Sequence, residues 1–175
     1  MARTRSQFHH RRAAGIDPRD APWIVTSLAF AALCVAWLVQ YGLGYAPCEL
    51  CLWTRYAYWA VIAVGLITMW FSRQPKARKF WLYLMGLTLL IVLAVSVFQV
   101  GVEQGWWQGT EACVGVSTAG MSTEEMTQAI MNAPVTRCDQ PAFLLLGISM
   151  AGYNILYVLA LVWFTFWAAS RRTYR

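Results

Sequence analysis

The stretch FWLYLMGLTLLIVLAVSVFQV, Phe80 to Val100, contains no Asp, Glu, Lys or Arg. It matches the roughly 20 apolar residues that an α-helix needs to cross about 30 Å of hydrocarbon. Working outward, three further runs read the same way: Trp23 to Leu43, Leu52 to Phe71 and Phe143 to Trp167. None of the four holds Asp, Glu or Lys, and Arg55, one turn into the second, is their one full charge. Tryptophans near the ends, among them Trp23, Trp53, Trp70, Trp81, Trp163 and Trp167, suit the headgroup level. Helices satisfy their backbone hydrogen bonds internally, which lets them cross lipid. The expected fold is an all-α integral membrane protein: an antiparallel bundle of four transmembrane helices at about 23–43, 52–71, 80–100 and 143–167. It forms one membrane domain over residues 1–175.

Composition agrees. Of 175 residues, 59% are hydrophobic, 15% aromatic and only 13% charged. A soluble domain has about 45–50% apolar and about 25% charged residues. That difference excludes an ordinary soluble enzyme, a disordered chain and a small disulfide-stapled secreted domain. The net charge of +6 resides in terminal and loop clusters rather than on a basic helical face. Lipid is therefore the expected partner, and nucleic acid is not.

The basic residues also orient the bundle. Twelve of the fourteen Lys and Arg residues lie in the N-terminal tail (1–21), the 72–79 connection and the C-terminal tail (168–175). The other side has Arg137, with Arg55 at its border. The positive-inside rule puts both termini in the cytoplasm and turns loops 44–51 and 101–142 outward. The first run is too long for the apolar region of a cleaved signal peptide, about 7–15 residues, so it reads as a retained helix.

Four of the five cysteines fall in the outward loops: Cys48 and Cys51 in the first, Cys113 and Cys138 in the second. Cys34 lies mid-span and reads as a small apolar residue. Disulfides persist outside the cytoplasm, in compartments such as the bacterial periplasm. Cys48-Glu49-Leu50-Cys51 is a C-x-x-C at the start of the second helix, where the helix dipole favours thiolate. Arg55, four residues beyond Cys51 on the same face, adds a guanidinium that favours a Cys51 thiolate and can donate to an anionic ligand oxygen. An ionisable residue inside the membrane edge marks a functional site. A four-thiolate zinc site and two inert staples are the competing readings, but no metal is expected in an oxidising compartment. A loop as short as C-x-x-C gains little from chain entropy and is typically redox-active. Leu52 stands where haem attachment would need His. Between the second pair, Ser122-Thr123-Glu124-Glu125 reads as a capping box. Met126, Ala129, Ile130 and Ala133 give one apolar face, so a short amphipathic helix is expected to rest on the membrane surface, a disordered loop with no such helix being the other reading.

Pro47-Cys48-Glu49-Leu50-Cys51-Leu52-Trp53-Thr54-Arg55, Gly101-Val102-Glu103 and Leu146-Gly147-Ile148-Ser149-Met150 together resemble the disulfide bond formation protein B (DsbB) family. So does the layout of cysteine pairs in both outward loops, and the resemblance runs from about residue 22 to 168. It implies a bacterial inner-membrane, multi-pass oxidoreductase that reoxidises a DsbA-like thioredoxin-fold thiol oxidase in the periplasm. Electrons would pass from Cys113–Cys138 to Cys48–Cys51 and on to ubiquinone, or alternatively menaquinone. The resemblance makes these four cysteines catalytic, with Cys113 forming the link to the partner and Cys138 exchanging with Cys48. It also places Arg55, Gln99 and Met150 at the quinone. Members of the family carry Tyr-His two residues ahead of Gly-Val-Glu. Phe98-Gln99 stands there in this chain, and Gln99 can hydrogen-bond a carbonyl but does not titrate near neutral pH. An interhelical hydrogen bond is the other reading of Gln99, core packing the other reading of Met150, and Glu103 reads as loop-structural. Two alternatives are a vitamin K epoxide reductase-like enzyme, whose C-x-x-C comes late in the bundle, and a structural four-span protein stapled by disulfides.

Overall fold

The computed structural model describes residues 19–71, 75–110, 113, 122–124, 127, 131, 137–139, 141 and 144–171. Its long helices are α1 (Ala21–Trp37), α2 (Glu49–Phe71), α3 (Pro75–Glu103) and α4 (Met150–Ser170). A π-helical segment, Leu38–Gly42, continues α1. Strands β1 (Leu144–Leu145) and β2 (Ile148–Ser149) pair antiparallel just ahead of α4. All four helices are long and apolar enough to cross a membrane, and the protein is an all-α, four-span membrane bundle.

The starts of α3 and α4 differ most from the hydropathy reading. α3 begins at Pro75, ahead of the apolar run at Phe80. Proline is preorganised for a first helical turn, and the basic turn that follows is helix that hydrophobicity alone does not reveal. α4 begins at Met150 rather than near Phe143. The apolar residues before it form the hairpin, because Leu146 (φ 51°) and Gly147 (φ 79°) both take the left-handed backbone that tight hairpin turns require. Ser149 then caps α4, its Oγ accepting the Gly152 N–H at 3.2 Å. α3 closes in a Schellman motif with Gly105 (φ 70°) beyond its end. There Trp106 N–H donates to Gly101 O at 2.9 Å and Gly105 N–H to Val102 O at 3.1 Å. The amphipathic helix expected within 122–133 lies largely outside the described residues, as do most of the N-terminal tail and the last four residues.

Each helix turns one face inward at three- and four-residue spacing: Val25, Ala29 and Leu33; Tyr58, Val61 and Ile62; Met85, Leu89 and Val92; Val158 and Leu161. α3 packs mainly on α2 and α4, and α1 packs on α2. The outward faces carry large apolar side chains such as Trp70, Trp163 and Leu66, a surface matched to lipid rather than water.

Lipid supplies no hydrophobic drive between helices, so close approach and hydrogen bonds must hold them. Gly65 lets α1 and α2 touch, since a Cβ there would collide with Thr26 Oγ1. Tyr58 donates to Asn154 Oδ1 at 2.6 Å, and Asn154 Nδ2 donates to Ser96 Oγ at 2.7 Å, tying α2, α4 and α3 together. Ser96 in turn donates to the Val92 carbonyl at 2.8 Å. This knot lies beneath the cysteine end and fixes the relative positions of the three helices there.

Candidate functional site

The chain enters α2 through Pro47-Cys48, so Cys48 immediately precedes the first helical residue, Glu49. Three-residue spacing in that first turn returns Cys51 beside it. The two sulfurs are 2.8 Å apart, and Cys51 N–H donates to Cys48 Sγ at 3.4 Å. Both are free thiols. The hydrogen bond with Cys51, reinforced by burial, pushes the Cys48 thiol well above the usual cysteine range.

Cys113 and Cys138 are joined as a disulfide with Cα atoms 4.8 Å apart. Cys138 N–H donates to Cys113 O at 2.9 Å, and Cys113 N–H to Thr110 O at 2.8 Å. Cys48, Cys113 and Cys138 share one buried cluster with Leu50 and Val102, and Cys51 packs against it. A C-x-x-C and a cysteine pair more than sixty residues downstream are thereby brought together. The bonded pair has no thiolates to give, so the four cysteines do not form a tetrathiolate metal site in this state. Beside Cys138, the Arg137 guanidinium donates to both carboxylate oxygens of Asp139, at 2.9 and 2.6 Å, and holds that carboxyl below its ordinary range.

Arg55 lies one turn deeper but bonds to α1 rather than to a sulfur. Its Nη1 donates to Gln40 Oε1, in the π-helical segment, and its Nη2 to Ala36 O at 3.2 Å. Gln99 projects from α3 and is buried, with Nε2 3.4 Å from Cys51 Sγ and 3.4 Å from Glu103 Oε1. Glu103 is helical rather than loop, and its Oε2 is buried with no hydrogen-bond partner.

These groups surround a cavity of about 870 Å³. Cys48, Cys51, Arg55, Gln99, Glu103, Cys138 and Met150 line it, with Tyr58 and Asn154 from the helix-tying network and a wall of Ala31, Ala32 and Val35 from α1 and Val39 from the π-helical segment. Of the four cysteines and three quinone contacts that the resemblance implies, Cys113 alone stays off the lining, although it is bonded to Cys138, which is on it. Cys34 is exposed. Sequence reasoning missed Gln40 and Glu49. Glu49 was readable only as an acidic residue in a first helical turn, yet its Oε2 accepts the Thr110 hydroxyl at 2.7 Å and stands 4.0 Å from Cys113 Sγ.

A free thiol pair packed against a disulfide, at one end of a four-helix membrane bundle, defines a membrane dithiol–disulfide protein. Residues 18–168 match the family described as Disulfide bond formation protein DsbB, and the chain belongs to it. A Rickettsia prowazekii protein, RP370, is 32% identical over 143 residues, covering 81% of both chains. The disulfide bond formation protein B of Neisseria meningitidis serogroup B is 28% identical over 161 residues, 87% of this chain and 96% of its own. That of Cupriavidus necator is 29% identical over 77 residues, 44% of this chain and 46% of its own. No solved structure matches the chain. Family membership makes the protein a membrane oxidoreductase of disulfide-bond formation.

Proposed function

We propose that the protein is a multi-pass inner-membrane dithiol:quinone oxidoreductase, with both termini cytoplasmic, that reoxidises a DsbA-like thioredoxin-fold oxidase in the periplasm. One observation carries the reading: a disulfide and a free dithiol share a buried cluster, and the dithiol opens onto a cavity furnished with a fixed cation. The partner's thiolate attacks Cys113 Sγ; the Cys113–Cys138 bond breaks and Cys138 leaves as thiolate. In the oxidised state of the first pair, Cys138 then attacks Cys48 Sγ, breaking the Cys48–Cys51 bond and releasing Cys51 as thiolate. A second thiolate of the partner resolves its link to Cys113, and Cys113 in turn resolves the Cys138–Cys48 link. Two electrons have then moved from the partner to Cys48 and Cys51, and Cys113–Cys138 is a disulfide again. That end state is the arrangement of bonds described above.

The lining suits a quinone. Arg55 and Gln99 supply N–H donors of the kind a carbonyl oxygen accepts, the unpartnered Glu103 Oε2 adds a polar group, and the alanine and valine wall of α1 is apolar. When bound, a quinone supplies a two-electron, two-proton acceptor soluble in the bilayer. Arg55, Gln99 and Met150 would hold it, ubiquinone in the first instance and menaquinone as the alternative. Gln99 would orient an acceptor oxygen and the Cys51 sulfur together without taking up a proton, unlike a histidine.

Anaerobic mixing of the purified protein with a short-chain ubiquinone and a reduced thioredoxin-fold donor tests the reading, followed by loss of the quinone's ultraviolet absorbance. Donor oxidation should require quinone and disappear in Cys51→Ser and Cys113→Ser. Full turnover in either variant refutes it.

A further inference from the structure

Cys113, the sulfur that a donor thiolate must reach under the proposed function, is 0% exposed, and Cys138 is 2% exposed. The disulfide is closed to outside attack in the state described, with the C-x-x-C turn packed against it. A polar contact beside it comes from the C-x-x-C itself. Glu49 Oε2 accepts the Thr110 hydroxyl at 2.7 Å and stands 4.0 Å from Cys113 Sγ. Thr110 O accepts the Cys113 N–H at 2.8 Å, so the clasp continues through one residue to the disulfide. Glu49 and Thr110 are both half-buried, where a charge-assisted hydrogen bond outweighs a fully solvated one.

We propose that Glu49 is a positioning residue that clamps the Cys113–Cys138 disulfide against the C-x-x-C, making the opening of the Glu49–Thr110 bond the step that admits an outside thiolate to Cys113. The inference rests on the proposed function for its purpose. With Cys48 and Cys51 already reduced, attack at Cys113 would release a Cys138 thiolate with no disulfide to receive it. A clamp built from the reduced turn suppresses that unproductive opening. The carboxylate opposes it a second way, because an incoming thiolate at Cys113 would arrive beside a like charge.

The test uses the full-length protein in detergent micelles, with Cys48 and Cys51 reduced, no quinone, and glutathione as the attacking thiol. Glutathione thiolate attacks Cys113 Sγ, a Cys113–glutathione bond forms, and Cys138 leaves as thiolate and takes a proton from water. Mass spectrometry of the trapped adduct gives the rate. Glu49→Ala should raise it roughly tenfold or more, the population factor that one hydrogen bond to a charged group controls. Thr110→Val should raise it in the same direction while leaving the carboxylate in place. Glu49→Gln, which keeps an acceptor for Thr110 but loses the charge, should fall between wild type and Glu49→Ala. Wild-type rates in both Glu49→Ala and Thr110→Val overturn the proposal. So does Glu49→Gln reacting as fast as Glu49→Ala, since a retained acceptor would then hold nothing. Because glutathione attack needs no electron acceptor, this outcome is separable from failure of quinone-dependent turnover, which would strike the proposed function alone.

Discussion

Gly101→Ala adds one methyl group where α3 approaches its end, and the structure sets what that methyl would meet. A Cβ at Gly101 would overlap the Trp107 indole. That indole is held twice over: Nε1 donates to Phe98 O at 2.9 Å, and the ring stacks on Phe98 with centroids 5.9 Å apart and planes 11° from parallel. Either the helix end strains around the methyl or Trp107 leaves. Overpacking costs about 1–3 kcal/mol. Departure costs roughly 0.5–1.5 kcal/mol for the hydrogen bond and a similar amount for the stack. Either route predicts destabilisation of about 1–3 kcal/mol. With Trp107→Ala already in place, the indole no longer blocks the methyl. There Gly101→Ala should be neutral or stabilise by up to ~1 kcal/mol, the propensity advantage of alanine over glycine within a helix. A double-mutant cycle measured by reversible denaturant titration in micelles, with near-ultraviolet circular dichroism as the signal, should therefore give a coupling of at least about 1 kcal/mol. An equal cost of Gly101→Ala in both backgrounds refutes the reasoning. Because the chain between Trp107 and Thr110 leads to the Glu49 contact, Gly101→Ala should also speed glutathione attack on Cys113.

Three further outcomes are expected. Arg55→Lys keeps a cation but cannot span Gln40 and Ala36 as the forked guanidinium does, so the KM for quinone should rise about tenfold with kcat less affected; an unchanged KM in steady-state kinetics would count against Arg55 as a quinone contact. In the reduced protein, Cys48 is buried and held as a thiol by its hydrogen bond to Cys51, so alkylation mapped by mass spectrometry should begin at Cys51, and Cys48 reacting first would contradict this. The Arg137 guanidinium depresses the Asp139 carboxyl, so the pair's contribution is complete above the ordinary Asp value of about 3.9 and fades as pH falls through the lower folded value; a carboxyl titration followed by NMR should show its midpoint below about 3.9, and one at or above it would exclude the pairing.

What the sequence disclosed and what it withheld follow from the range of each interaction. Four spans were legible because lipid demands long uncharged runs, and Cys51 and Arg55 were legible as neighbours because helical periodicity is local. Gln99 was singled out by the resemblance, as the residue standing where family members carry His, and the structure has it 3.4 Å from Cys51 Sγ. The start of α4 was hidden, since Leu144, Leu145 and Ile148 have the hydropathy of a helix and the backbone of a hairpin. Glu49 and Thr110 are 61 residues apart, and no pattern along the chain joins them. Gln40 was hidden for a related reason: its bond to Arg55 depends on how α1 ends, not on its composition.

That ending has a mechanical consequence. A π-helical turn accommodates one more residue than an α-helical one, so Leu38–Gly42 shifts the phase of everything after it. Removing a single residue there would return the segment to ordinary pitch and swing Gln40 by about 100°, a quarter of the way around the axis and away from Arg55. Length at this spot is thus under geometric constraint independent of hydrophobicity. An insertion or deletion here would turn Gln40 off its bearing and disconnect the guanidinium from its support.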